Sequence, residues 1–431
     1  MMARHRKNKP VEEEDRIKKN NLISLSMSAT REKRKTQKCK VVTVKIQSNK
    51  LNLSQRTALK MLFVEAKWIR NEMINFGENN SIFDYSCGDT IRVMDKDRKF
   101  ITKERNFISA QQIQSVIAEV KDNIRSLSKL KQKGNSIGGL NYVSEVKSID
   151  LKQHGATYKI KSKTKMKIQG VPGDVKVFGL EQLDESCDFA NAKLLNKPDG
   201  YYVAIVTYID EGKIKDDFIP NTDIGVDMGV KNNITLSDGR KFNVFVDETD
   251  RLKKLQRELS RREKGSNNRN KTIKEIRKEY QKMSNIKEDI SNKIVSDLKQ
   301  FENIYFQDEN IKAWKNKNYL ANGSKKIQHS ILGRVKTKLK NCERAYMLNK
   351  FVATTQTCKE CGIKNKQSLS DRIYSCSCGY TADRDVHSAN MMILFGKQFI
   401  GAERIELTPV EILSSTAPCG AVRRIDETGS F

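Results

Sequence analysis

Between Leu53 and Phe76 the apolar residues Leu59, Leu62, Phe63, Ala66, Trp68, Ile69, Met73 and Phe76 return at the spacing of one helix face. Ser54 is placed to cap that helix. A similar period resumes over 108–131, with 77–103 as a long connection, so 49–140 is expected to be a helical module. Elsewhere the period falls to two. KVVTVKI (40–46) and YYVAIVTYI (201–209) alternate as strands do, and so does YKIKSKTKMKI (158–168). The last sets Lys159, Lys161, Lys163, Lys165 and Lys167 on one face and Ile160, Met166 and Ile168 on the other. Several such strands predict a β-barrel built from 39–48 and 141–222. Residues 251–301 return to helix, broken at GSNN, with Ile276, Met283, Ile294 and Leu298 on an apolar stripe. DIGVDMGVKNNITLSDGRKF reads as strand, turn and strand with Asp227 mid-strand, IYFQDENIKAW begins as a strand, and TADRDVHSANMM enters a helix through a short loop. The mixture is that of an α+β multidomain protein.

Charge changes the picture. The 431 residues hold 81 Lys+Arg against 53 Asp+Glu, a formal charge of +28. Self-repulsion of that size calls for a polyanionic partner, nucleic acid before membrane. No run of apolar residues is long enough to span a bilayer, and the first residues lack the apolar core of a secretory signal. Residues 1–38 are polar and rich in both signs, which predicts a poorly ordered basic arm. The lysine strand reads either as an edge guarded against aggregation or as a phosphate track. The hairpin at 251–300, with sixteen Lys/Arg against seven acids, reads as a solvated face or as one that follows a phosphate backbone through Arg257, Arg261 and Arg262.

Nine cysteines are too few and too scattered for a disulfide scaffold, which fits a reducing, cytoplasmic location. Four of them crowd together as Cys358-Lys-Glu-Cys361-Gly and Cys376-Ser-Cys378-Gly. Two such knuckles offer four thiolates to one Zn²⁺, and four ligands make a closed, structural site. The acids are weaker on spacing alone. An isolated aspartate on a strand is more often a surface or turn residue, although acids from three distant segments can converge on divalent metal.

These segments resemble the transposon-encoded TnpB nucleases and the miniature type V-F CRISPR effectors related to them (Cas12f-like). GVDMGV resembles their first RuvC motif, LQRELSRREKGSNNRNK the helical segment after it, and the knuckles followed by DRDVHSAN their zinc ribbon and third RuvC motif. The tail, LTPVEI to DETGSF, resembles TnpB C-termini. The resemblance implies an RNase H-like (RuvC) core at 223–353 and 383–431 with a zinc ribbon inserted at 354–382. It also implies a WED-like N-terminal barrel interrupted by the helical recognition module. A guide RNA, double-stranded target DNA and a bacterial, nucleoid-associated setting come with it.

The first and third family carboxylates fall on Asp227 and Asp385, with Asp383 the alternative to the latter. The second falls on Gln307, in a run reading Gln-Asp-Glu-Asn where the family has Glu-Asp-Leu-Asn, and His387 stands where asparagine is usual. An amide binds Mg²⁺ far less well than a carboxylate, so Mg²⁺ is expected to be weak or absent. The resemblance then implies a nuclease-deficient effector that holds DNA and regulates transcription, with RNA polymerase or a sigma factor as partner and a homodimer on one RNA as a possible assembly. The alternative is an active endonuclease in which Glu309 replaces the missing acid, which on a continuous strand would require a shift of about 6–7 Å or a bulge. General nucleic-acid binding without a guide would also account for the charge.

Overall fold

The computed structural model describes residues 13–95, 99–184, 186–213, 218–316, 323–368, 371–404 and 422–423. The chain divides into two compact units, Met1–Lys215 and Asp216–Phe431. The C-terminal motif at 407–431 lies outside the described residues, apart from a two-residue strand.

The first unit runs α1 (Glu13–Arg34), β1 (Gln37–Ile46), α2 (Leu53–Phe76), β2 (Thr90–Met94), β3 (Phe100–Glu104), α3 (Ala110–Gln132) and β4 (Ser148–Leu151), then β5 (Tyr158–Ser162), β6 (Lys165–Ile168), β7 (Asp174–Phe178), β8 (Asp188–Lys197) and β9 (Gly200–Asp210). Seven strands form one sheet in the order β4-β8-β9-β1-β7-β6-β5, each pair antiparallel. The expected barrel is therefore a curled half-barrel: among the described residues its end strands, β4 and β5, do not pair with each other. Alternate residues Val42, Val44 and Ile46 of β1 point into a core shared with Leu59, Leu62 and Ile69 of α2.

Several expectations change here. Residues 13–34, expected to be poorly ordered, form a helix. Asn52, rather than Ser54, caps α2, through a capping box with Gln55, because the side chain one position before the helix meets the free N–H groups. Within the expected connection, β2 and β3 pair as a hairpin. The lysine stretch is a hairpin too: β5 turns into β6, with Lys159 opposite Lys167. The register shifts between Ile160 and Ser162, so residues 161–165 are all exposed around the turn; all five lysines are exposed, while Tyr158, Met166 and Ile168 are buried.

The second unit runs β10 (Ile219–Met228), β11 (Ile234–Leu236), β12 (Lys241–Phe242), α4 (Asp250–Arg261), α5 (Asn267–Leu298) and β13 (Phe301–Gln307). It continues with α6 (Ile311–Asn316), α7 (Gly323–His329), α8 (Leu332–Lys340), β14 (Ala345–Leu348), β15 (Ile373–Ser375), β16 (Thr381–Asp383), α9 (Arg384–Arg404) and β17 (Val422–Arg423). The sheet order is β12-β11-β10-β13-β14-β17. The central strands β10, β13 and β14 are parallel, and the outer ones join antiparallel. Parallel strands need both faces covered. Leu298 of α5 and Leu332, Val335 and Leu339 of α8 cover one hydrophobic cluster, while Met391, Met392 and Phe395 of α9 pack with Tyr305 in another. Two glycines let α9 approach so closely. A Cβ on Gly225 would collide with the Ala389 carbonyl oxygen, and one on Gly396 with the Tyr305 ring.

Candidate functional site

The register that aligns Val226 of β10 with Phe306 of β13 brings Asp227 and Gln307 to the ends of neighbouring parallel strands. On α9, Asp385 and Ser388 lie three residues apart and so share a face. Ser388 Oγ donates to Asp227 Oδ1 at 2.9 Å. Burial, reinforced by the charges of Asp385 and Glu309 and opposed by Ser388, pushes Asp227 up to about 7. Asp227 is thus within electrostatic range of both acids. Asn232 Nδ2 donates to Asp385 Oδ2 at 2.9 Å. Across the ladder from Asp227 stands Thr235, 1% exposed, whose hydroxyl has no hydrogen-bond partner. Neither Asn232 nor Thr235 carries a sequence signal: both lie in a turn and strand that only pairing aligns with Asp227.

Asp383 and Asp385 separate cleanly. Asp383 ends β16, pairs with Lys241 at 2.6 Å and accepts the N–H groups of Asp385 and Val386. It caps α9, which begins directly after the strand without the expected loop.

Gln307 is 6% exposed, and its amide is fully engaged. Nε2 donates to the carbonyls of Asn349 at 3.1 Å and Val352 at 2.8 Å, and Oε1 accepts from Thr354 Oγ1 at 3.2 Å. Thr354 Oγ1 also lies 3.1 Å from Ser388 Oγ, so Gln307 and Asp227 belong to one cluster of polar groups. Glu309 is not on the strand. β13 stops at Gln307, the Glu309 N–H folds back onto the Gln307 carbonyl at 2.9 Å, and Lys336 clasps the turn through Asp308 at 2.5 Å and the Glu309 carbonyl at 2.6 Å. The expected displacement of 6–7 Å along a strand therefore does not apply. Burial raises Glu309 above the ordinary glutamate range, against the pull of Lys336.

His387 does not face the acids. It is fully buried, donates from Nε2 to Thr357 O at 2.9 Å, meets Tyr380 Oη through Nδ1 at 3.4 Å, and stacks on Tyr374 with ring centroids 3.9 Å apart. His387 thus packs among the residues around the cysteine cluster, and not among the acids with which the sequence reading groups it.

The four cysteines converge. The sulfurs of Cys358, Cys361, Cys376 and Cys378 all lie within 4.8 Å of one another, and the pairs Cys358–Cys378 and Cys361–Cys376 are 3.6 Å apart. Tetrahedral thiolates around Zn²⁺ at ~2.3 Å would be separated by about 3.8 Å, so the set fits that ion. Gly362 and Gly379 follow the knuckles with φ of 73° and 92°, a conformation that favours glycine. A backbone N–H at Cys378 pulls Cys376 down, while the neighbouring thiols push Cys361 and Cys378 up, so the cluster as a whole resists ionisation without a cation. Among the described residues no set of three acids is gathered so tightly, Asp227, Asp385 and Glu309 included.

Of the expected basic contacts, Arg257 and Arg261 are exposed. Arg262 is occupied, donating to Asn268 O at 2.6 Å and pairing with Glu258 at 3.2 Å across the break between α4 and α5. Among the described residues no helix is long and apolar enough to cross a membrane.

Residues 208–303 match the OrfB_IS605 family, described as "Probable transposase", and residues 331–392 match the "Cas12f1-like, TNB domain". The chain is 27% identical over 187 residues to a "Putative RNA-guided DNA endonuclease" of Streptomyces pristinaespiralis, covering 40% of this chain and 45% of that protein. It is 26% identical over 260 residues to the "Putative RNA-guided DNA endonuclease InsQ" of Escherichia coli K12, covering 50% of this chain and 61% of that one. The matches thus span about half the length of these relatives. Among solved structures, a chain of a Cas12f1-sgRNA-target DNA complex overlays with TM-score 0.46 at 11% identity, over 83% of this chain and 99% of that one. A chain of a CRISPR-Cas12f ternary complex gives TM-score 0.27 at 13% identity, over 78% and 81%.

Proposed function

We propose that this protein, whose segments match the OrfB_IS605 family and the Cas12f1-like TNB domain, binds DNA under the direction of a guide RNA and holds it without efficient cleavage. Base pairing would read the target while the protein grips backbone and duplex shape. The five lysines of the β5–β6 hairpin and Arg257 and Arg261 of α4 supply exposed positive charge for that grip. Asp227 and Asp385 are vestiges of a RuvC-like centre in an RNase H-like core, the ribbon holds Zn²⁺, and occupancy of the target acts on transcription, with RNA polymerase or a sigma factor as partner.

The observation that supports the loss of cleavage is the engagement of the Gln307 amide with two backbone carbonyls. An ionised glutamate there would face carbonyl oxygens, and the neutral amide offers no charge to a cation. A second reading, cleavage through Glu309, is favoured by one observation: its charge reaches Asp227. To test both, the protein is purified with its co-expressed RNA and offered a matched duplex with Mg²⁺. Sequence-dependent binding with intact DNA is expected. Cleavage that vanishes in Glu309→Gln would establish the second reading. Equal binding of every duplex, with no RNA copurifying, would overturn both.

A further inference from the structure

The first unit holds a cavity of about 190 Å³ between α2 and the β2–β3 hairpin. Trp68 of α2 and Tyr142, from the segment before β4, line it together with the hairpin. Arg92 and Met94 alternate along β2, and Met94 pairs with Phe100 of β3, so these three side chains share one face. The walls are pinned. Glu72 ties the hairpin to α2, one carboxylate oxygen accepting the Arg92 N–H at 2.7 Å and the other the Tyr85 hydroxyl. Asn71 exchanges two hydrogen bonds with the Val143 backbone, at 2.9 and 3.0 Å, and the Tyr142 hydroxyl donates to Glu78 at 2.8 Å. Yet Met94, Phe100 and Tyr142 are 46%, 43% and 48% exposed. The Arg92 guanidinium lies 5.0 Å from the Phe100 ring centroid, and among the described residues neither it nor Lys67, which also lines the cavity, is paired with an acid.

We propose that this cavity docks a partner protein through an acidic segment carrying one aromatic anchor side chain. The cavity is smaller than the ~300–1,000 Å³ of sites that enclose whole small molecules, and it suits a single side chain. Its lining combines Trp, Tyr, Phe, Met and Arg, the residue types that gather in protein–protein interfaces. An aromatic anchor would meet the rings of Trp68, Phe100 and Tyr142 edge-on or offset. Lys67 and Arg92 stand without acids, so acidic residues on either side of the anchor would complement them. The one acid in the lining, Glu72, has both oxygens occupied by donors of this chain. A nucleic-acid strand fits less well, because the walls made by Val93, Met94 and Phe100 give base edges no hydrogen-bond partner. Docking also accounts for the hairpin. Two strands alone are marginal in water, and a partner seated on Met94 and Phe100 would bury the face they expose. The inference goes beyond guide-directed binding and does not depend on it.

The chain has two tryptophans, so Trp314→Phe leaves Trp68 as the only indole, and its emission then reports on the cavity in the full chain. The probe is the capped peptide Asp-Glu-Phe-Glu-Asp, titrated into the millimolar range. A saturable change in Trp68 emission is expected, and replacing the central phenylalanine of the peptide by alanine should remove it. Phe100→Ala should weaken binding about 10-fold. Arg92→Glu should weaken it similarly and in exchange accept Lys-Arg-Phe-Arg-Lys, a reversal of preference that unfolding would not produce. No saturable response, an equal response to the alanine-centred or the basic peptide, or native affinity in both variants overturns the proposal. So does a dimer in sedimentation velocity that Phe100→Ala dissolves, which would give the face to a second copy. Quenching of Trp68 by oligo-dT that Phe100→Ala removes would give it to nucleic acid and overturns the proposal as well.

Discussion

Asp227 and Gln307 end adjacent strands yet have opposite relations to their surroundings. Asp227 is held where ionisation is costly, near two other acids. Its folded pKa, about 7, lies above the ~3.9 of an unfolded aspartate. The folded chain therefore holds a proton that the unfolded chain releases, so this residue's contribution to stability falls as pH rises from about 4 to 7 and is gone above that. Asp227→Asn should raise the melting temperature of the metal-free protein more at pH 8 than at pH 5, as thermal denaturation in chelator would measure. An equal gain at both would refute the buried-charge account. Gln307→Glu should destabilise by about 1–3 kcal/mol, since it replaces two donated hydrogen bonds with a carboxylate facing carbonyls, and it should leave cleavage unrestored. Urea titration and a cleavage assay of the same preparation measure both. The glutamine itself was legible in the QDEN run. What the amide does was not, because its partners lie more than forty residues downstream and only β13–β14 pairing brings them into reach.

At the scale of elements, α9 links the chemistry of this unit. It lies on the sheet through Gly225 and Gly396, carries Asp385 and Ser388 toward Asp227, and sends His387 into the ribbon. Gly225→Ala must push the helix away, because the obstacle is backbone and cannot rotate aside. A loss of about 1–3 kcal/mol or more is expected, together with loss of the Ser388–Asp227 contact. Denaturant melts measure the first, and a downward move of the Asp227 titration under burial relief reports the second. Removing Zn²⁺ with a chelator should abolish amide-exchange protection over the knuckles and also reduce it in the first turns of α9, since His387 bonds to Thr357 next to Cys358. Unchanged exchange in α9 would show that the ribbon and helix are independent. Helix and strand types were legible here from period alone. Turns were less so: alternation looks the same in one strand as in two strands of a hairpin, which is why the lysine stretch read as a single element. The chain reversal after Gln307 was hidden for a related reason, as a γ-like fold-back leaves no composition signal.

Across the whole molecule, a charge of +28 is carried on two units with separate cores. Electrostatic gripping of a nucleic acid releases condensed counterions. If six to ten phosphates are engaged, affinity should drop by about 10³–10⁵ between 50 and 200 mM salt, as filter binding or fluorescence anisotropy would reveal. A flat salt response would deny the phosphate contacts assigned to the lysine hairpin and α4. Sequence alone determined the sign of the charge, the four clustered cysteines and the long helices α2, α3 and α5. Each is a property of residue type or local spacing, which chain folding does not alter. Tertiary structure decided that Asp383 caps a helix, that His387 serves the ribbon, that Glu309 sits on a turn within range of Asp227, and that Gln307 braces a loop. Those roles depend on partners distant in sequence, and only sheet register and the close seating of α9 determine which groups meet.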